Sequence, residues 1–406
     1  MRRYGAFSIT SIGFLASFSL GACGGDTGTL APTDASASTG IVVVNSNYSD
    51  SASVSFLDRD GNLVQDGCFL TPELSGDIVL PTQVPPGGPV VIVDRGMGYN
   101  ALTWLDATTC TPLRQLAVGT GFDSNPHDVV VLSASKAYVT RFAENGAATP
   151  ASDDFDDGDD VLIIDPAQPK IVGRIDLKPY APVGVLPRPD RALLAEGSVY
   201  ISLNAIGLDL QTYGTGRILI VDPIADVVTG TIDLPGTKNC GAMTYLAAER
   251  RLMVACTGAY SDGTQQADYS AVVALDLSSS PPTVIAQVAA ASVGGLPFSN
   301  TALAALDGNT AIAVTLGNSP NLPPDRVWSL PLGTALPVKV FESTEAYALS
   351  AVLADSEQGR VLVADGTTNT PAFLRVFDFA SGTFVAGKTV KTNPAQKLPP
   401  RALAFY

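Results

Sequence analysis

The chain is poor in the residues that do most enzymatic chemistry. Its 406 residues include one histidine, His127, two tryptophans, Trp104 and Trp328, and four methionines. A single imidazole excludes a multi-histidine zinc site, and no pair among the five cysteines has zinc-finger spacing. There is no Gly-x-Ser-x-Gly elbow and no phosphate-cradling Gly-rich loop with Lys, which removes two common hydrolase and nucleotide-binding signatures. Two tryptophans are too few for a quinoprotein with repeated tryptophan docking motifs, and both read as core. Charge is scarce at 16% of residues and unbalanced, with 24 basic against 39 acidic side chains giving a net -15. Such a surface repels phosphates and argues against nucleic acid as a partner. After residue 22 no apolar run is long enough to cross a bilayer. No segment shows a 3.6-residue apolar period, so almost no helix is expected.

What is present begins at the amino terminus. Met1-Arg2-Arg3 is a short basic start, and Ala6 to Leu20 form an apolar stretch of about 15 residues, the length of a signal-peptide core. Leu20-Gly21-Ala22-Cys23 then matches the bacterial lipoprotein box, which predicts cleavage before Cys23 and lipid on that cysteine. The expected organisation is a signal at 1–22, a Gly/Ser/Thr/Ala-rich tether at 23–40 and a folded body at 41–406. A flexible tether of this kind reaches roughly 23 Å, keeping the body near the membrane to which the lipid is expected to bind it. Gly24 stands where many inner-membrane lipoproteins have Asp, so similarity to that sorting rule points to the outer membrane, facing periplasm or exterior. Loss of Arg2 and Arg3 with the signal takes the charge from -15 to -17.

Four cysteines remain after Cys23, an even number in a chain bound for an oxidising compartment, which favours disulfides over metal. Cys240 and Cys256 flank a hairpin whose midpoint lies near Ala248-Glu249, so they are expected to face each other across two strands. Cys68 and Cys110 pair by elimination, linking neighbouring repeats.

A short β segment ending in aspartate recurs along the chain: Phe56-Leu57-Asp58, Trp104-Leu105-Asp106, Ile163-Ile164-Asp165, Ile220-Val221-Asp222, Ala274-Leu275-Asp276 and Val376-Phe377-Asp378. Ser329-Leu330-Pro331 fills the vacant slot, and successive last residues lie 48, 59, 57, 54, 55 and 47 apart. That is the period of a propeller blade. Each aspartate precedes a turn and another β-rich run, where a short carboxylate can accept a backbone N–H two residues on. These acids therefore read as caps and not as ligands. A β run lies upstream of each copy, and from the third repeat onward a further run precedes that one, giving four strands per unit. The first repeat opens on its second strand at Gly40, while 401–406 form a lone first-type strand at the carboxyl end. Docking one on the other closes a ring of seven four-stranded antiparallel blades.

Asn125-Pro126-His127-Asp128-Val129 and Lys136-Ala137-Tyr138-Val139-Thr140-Arg141 resemble the YVTN-type β-propeller repeat of bacterial and archaeal surface proteins, with Arg141 where that motif has Asn. Asp165-Pro166 and Asp222-Pro223 resemble the turn that follows in such repeats. The resemblance implies a seven-bladed all-β propeller over 41–406 and no single activity.

In such a blade the connections after second and fourth strands share one face. The long ones gather there, including 141–160, 204–216, 258–270 and 178–190, while the opposite face has mostly tight turns. On the long-loop face, Asp153, Asp154, Asp156, Asp157, Asp159 and Asp160 form an acidic segment for which calcium is one reading, although Phe155 interrupts the Asp-x-Asp-x-Asp-Gly template. The other reading is a solvated acidic loop. His127 is placed near the channel mouth as a candidate base, and Arg141, Arg188, Arg191 and Arg401 are candidates to hold a carboxylate or to neutralise the acidic loops. With no catalytic constellation evident, the expected role is a membrane-anchored module binding a protein, glycan or small ligand. The alternative is a calcium-dependent lactonase-type propeller hydrolase, whose site needs no histidine.

Overall fold

The computed structural model describes residues 38–68, 74–147, 155–261, 264–317, 323–367, 373–380 and 383–406. It is an all-β ring of seven four-stranded antiparallel sheets, with three short 3-10 turns as the helical segments among the described residues. Counting strands outward from the central channel, blade 3 consists of Pro126–Ser133, Lys136–Glu144, Gly158–Asp165 and Lys170–Asp176, and blade 4 of Pro189–Ala195, Ser198–Leu203, Gly216–Asp222 and Val227–Leu234. Blades 5, 6 and 7 begin at Cys240–Leu246, Phe298–Asp307 and Leu349–Asp355. Second and third strands are the most buried because both faces pack on neighbouring blades. Their runs, such as Arg251–Cys256 and Ala271–Asp276, are therefore almost continuously apolar instead of alternating. Fourth strands alternate exposed and half-buried residues, as Thr111–Ala117 does.

The ring closes as the sequence predicts. Pro400–Phe405 pairs antiparallel with Gly40–Ser46 from Ile41 opposite Phe405 to Val44 opposite Ala402, becoming the innermost strand of blade 1. The seam is sealed by the Thr39 N–H to the Tyr406 carbonyl, the Tyr406 N–H to the Gly40 carbonyl, and an edge-on contact of Phe56 and Tyr406 with ring centroids 5.0 Å apart. No sheet edge faces the gap between first and last blades. Both disulfides form, Cys240–Cys256 across the first two strands of blade 5 and Cys68–Cys110 between blades 1 and 2. They suit an exported chain. The lipoprotein box with Cys23, and Asp153 and Asp154 of the acidic segment, lie outside the described residues.

One part of the repeat pattern needs correction. Blade 2 also has a first strand, but it is only Ile78–Val79, paired with Val93 and Asp94. The chain then leaves the sheet, and Leu80 to Val84 cross the channel in front of blade 3 before returning to the second strand at Val90–Asp94. The crossing is pinned at two points. Asp128 on blade 3 accepts the Thr82 N–H at 2.9 Å and its hydroxyl at 2.6 Å, and the Gln83 amide exchanges both hydrogen bonds with the Leu194 backbone on blade 4. Two strand residues were too few to register as a β run in the sequence.

Candidate functional site

The first strands all enter the channel from the long-loop face. In six of the seven blades the register shifts directly after the first strand residue, at Pro126, Pro189, Cys240, Phe298, Leu349 and Pro400, with the next paired residue two to five positions on. Such bulges release the next side chain from the ladder and re-aim it. The released positions are His127, Asp190, Gly241, Ser299, Ser350 and Arg401, and they form the rim of the mouth. Gly241 has to be glycine, since a Cβ there would stand 2.6 Å from the Asp190 carboxylate and 2.7 Å from the Asn300 carbonyl.

Below the rim is a cavity of about 500 Å³. It is off-centre: the Leu80 to Val84 crossing covers blade 3, so the walls come from blades 4 to 7, the closing strand and the crossing itself. Three guanidinium groups line its mouth, Arg95, Arg191 and Arg401, with Tyr48 between them. Arg191 is anchored by long bonds to the Leu80 and His127 carbonyls at 3.4 and 3.3 Å and stands 3.5 Å from Asp190. Arg95 pairs with Asp77 at 2.9 Å. Arg401 donates to the Ser46 carbonyl at 3.1 Å and lies 4.6 Å from the centre of the Tyr48 ring, while its Nη1 has no hydrogen-bond partner among the described residues. That nitrogen is itself buried against Gly366, and burial lowers the Arg401 pKa from its ordinary value.

His127 sits at the rim but does not line the cavity. Its ring stacks on Phe142 with centroids 4.6 Å apart, and its Nδ1 lies 2.9 Å from Asp190 Oδ1. Burial pushes the imidazole pKa down, so the neutral ring donates to an ionised Asp190. Burial alone would raise Asp190, but His127, Arg191 and the Asn204 amide together outweigh it and hold the acid below its usual range.

The remaining candidates lie elsewhere. Arg141 is fully buried away from the mouth, forked onto Asp160 at 2.8 and 2.7 Å and donating to Thr120 Oγ1 and the Phe155 carbonyl. Arg188 lies over Phe142 at 4.9 Å and donates to the Ile206 carbonyl, while its own N–H binds Asp159. Asp157 pairs with Arg174 at 2.6 Å. Asp159 is buried with Oδ2 unpartnered among the described residues, and that burial raises its pKa to about 7. Asp156 lies close to Gly121. Among the described residues no group of three or more His, Cys, Asp or Glu is arranged to hold a metal ion. The structure thus brings Arg191 and Arg401 to one cavity, joins His127 to its edge, and turns the described acids mainly toward arginines. It adds Tyr48, Arg95 and Asp190; of these only Asp190 carries a sequence signal, the Pro-x strand start that Pro189-Asp190 shares with Pro126-His127 and Pro400-Arg401.

Exposed large apolar side chains also distinguish this face. Among the described residues nine lie on its loops, including Tyr48, Met97, Tyr99, Leu208, Tyr260 and Tyr347, whereas the opposite face shows Ile224 and Leu336 and the other eight lie on outer strands. Exposed tyrosines on one face are what interaction surfaces carry.

No family model matches the chain, and no curated protein matches it by sequence. Solved structures do resemble it. A proposed 6-phosphogluconolactonase from Bacteroides fragilis superposes with a TM-score of 0.59 at 13% identity, covering 93% of this chain and 100% of its own. The periplasmic gluconolactonase of Pseudomonas aeruginosa gives 0.59 at 14% identity, covering 90% and 98%. Hydrazine synthase of Kuenenia stuttgartiensis gives 0.52 at 12%, covering 87% and 98%. The chain is a seven-bladed β-propeller of the architecture those proteins share. Their different chemistries show that the fold alone assigns none.

Proposed function

We propose that the chain is an exported, lipid-anchored binding module that takes a small anionic ligand at the channel mouth on its long-loop face. The observation that carries this reading is the convergence of Arg95, Arg191 and Arg401 on one cavity in a chain whose net charge is -15. Arginine forks suit carboxylate and phosphate, and at the mouth three guanidinium groups face two carboxylates, Asp77 beside Arg95 and Asp190 beside Arg191, which leaves a cationic excess in an acidic chain. The cavity is of ordinary ligand-pocket size. Gly40 starts a second strand, so the tether expected before it leaves from the tight-turn face. Lipid on Cys23 would then present the long-loop mouth away from the membrane. A thermal-shift panel with gluconate, 6-phosphogluconate and hexanoate is expected to show stabilisation that Arg191→Ala with Arg401→Ala removes. Stabilisation by neutral sugars as large as by anions counts against the proposal. Labelled palmitate is expected on the wild-type chain and not on Cys23→Ala.

A second reading, lactone hydrolysis, is favoured by the His127–Asp190 pair, a base held by a buried acid beside Arg191. The fold shared with structures named for gluconolactonases agrees with it. Glucono-lactone turnover lost in His127→Gln would support this reading. Turnover lost to chelator and retained in His127→Gln would move the chemistry to a calcium site.

A further inference from the structure

The channel below the three arginines differs in character from its mouth. Its wall along blades 5 to 7 and the closing strand presents Leu246, Leu303, Ala305, Val352, Ala354 and Leu403. Several polar groups among them are already engaged by the protein itself. Thr301 Oγ1 donates to the Ser350 carbonyl at 3.1 Å, Ser350 Oγ to the Pro400 carbonyl at 3.3 Å, and the Gln83 amide is satisfied by the Leu194 backbone. At the far end the lining turns acidic, with Glu249 and Asp307. A ligand in this channel therefore meets cations, then an apolar barrel, then carboxylates.

We propose that the channel binds an amphipathic anion, an unbranched carboxylate whose headgroup sits among Arg95, Arg191 and Arg401 and whose alkyl chain extends along the apolar wall. This names the ligand class for the anion-binding reading above and rests on it. The headgroup has one stable orientation, because Glu249 and Asp307 repel it at the other end. The first strands are long enough for an extended chain: the seven residues of Leu349–Asp355 rise roughly 23 Å. A polar ligand filling the same space would leave its hydroxyls facing leucine and alanine side chains, with few protein partners for the water it gave up.

The test is isothermal titration of the purified protein with hexanoate, octanoate and decanoate, beside gluconate and 1-decanol. The expected result is affinity that rises roughly threefold to fourfold per added methylene, as burial of each CH₂ predicts, and that falls steeply for the neutral alcohol. Ala354→Leu, which narrows the channel, should weaken decanoate while leaving hexanoate unchanged. Thermal melting of that variant checks that it is folded, and Leu403→Gln, which changes polarity at similar volume, provides a second reading of the same wall. Gluconate binding as tightly as decanoate with no dependence on chain length would overturn the amphiphile and leave the anion site standing. Failure of every anion to bind would remove both.

Discussion

The two faces of the ring are built on different rules. On the tight-turn face blades 2 to 5 repeat one local device, while at the seam the buried Asp355 of blade 7 also pairs with Arg59 of blade 1. Asp106 accepts the N–H groups of Thr108 and Thr109 at 2.8 Å, Asp165 those of Ala167 and Gln168, Asp222 those of Ile224 and Ala225, and Asp276 that of Ser278. These exposed caps close turns two or three residues away. On the long-loop face, beside an exposed local cap at Asp209, several carboxylates are buried and hold distant segments. Asp128 ties Thr82 to Ala192, Asp159 ties the blade 3 loop to Arg188, and Asp325 accepts N–H groups from Gly317, Tyr347 and Leu349. A surface closed by local turns is indifferent to what lies above it. A surface closed by long-range buried polar bonds has its loops fixed in place, as a binding face needs.

This contrast can be broken experimentally. The largest effect is expected from removing Pro400 to Tyr406, which deletes the strand shared by both faces. The truncated chain should lose its cooperative thermal transition, and a melt at the full-length temperature would disprove the closure. Arg141→Ala leaves the fully buried Asp160 with only Arg174, 3.5 Å away, and should cost about 3 kcal/mol in a denaturant melt. Asp159→Asn has the opposite sign and depends on pH. The carboxyl is raised by burial from 3.8 to about 7, so the folded chain keeps a proton that the unfolded chain has lost, and stability falls as pH rises between those values. The variant escapes that loss, and its melting temperature should exceed that of the wild type above pH 7 and match it near pH 4. The smallest effect is expected from Asp106→Ala on the tight-turn face. The N–H groups of Thr109 and Thr108 hold that acid below its ordinary range, so its contribution is present at neutral pH and lost as pH falls below 3.8. The variant should differ from the wild type at pH 7 and converge with it in acid.

The same contrast explains what was legible in the sequence. The caps recur with their β segments at nearly constant spacing, so blade number, closure and both disulfides could be read from residue order. Of the rim only His127 and Arg401 could be, because its six bulge positions, His127, Asp190, Gly241, Ser299, Ser350 and Arg401, share a place and no single residue type. Arg141 and Arg191 look alike as isolated arginines near strand ends. What separates them is the carboxylate each meets, Asp160 buried beside Arg141 and Asp190 shared between Arg191 and His127. The channel crossing was hidden for a different reason. Leu80 to Val84 make side-chain bonds 46 and 111 residues away, and no local pattern encodes them.

The most direct test of the central claim is titration of hexanoate into the wild-type chain and into Arg191→Ala with Arg401→Ala, at low and high salt. If the mouth is the anion site, the double substitution should weaken binding at least tenfold, since charge-assisted bonds are worth about 1.5–3 kcal/mol each, and added salt should weaken the wild type more than the variant. Equal affinities with equal salt dependence would contradict it.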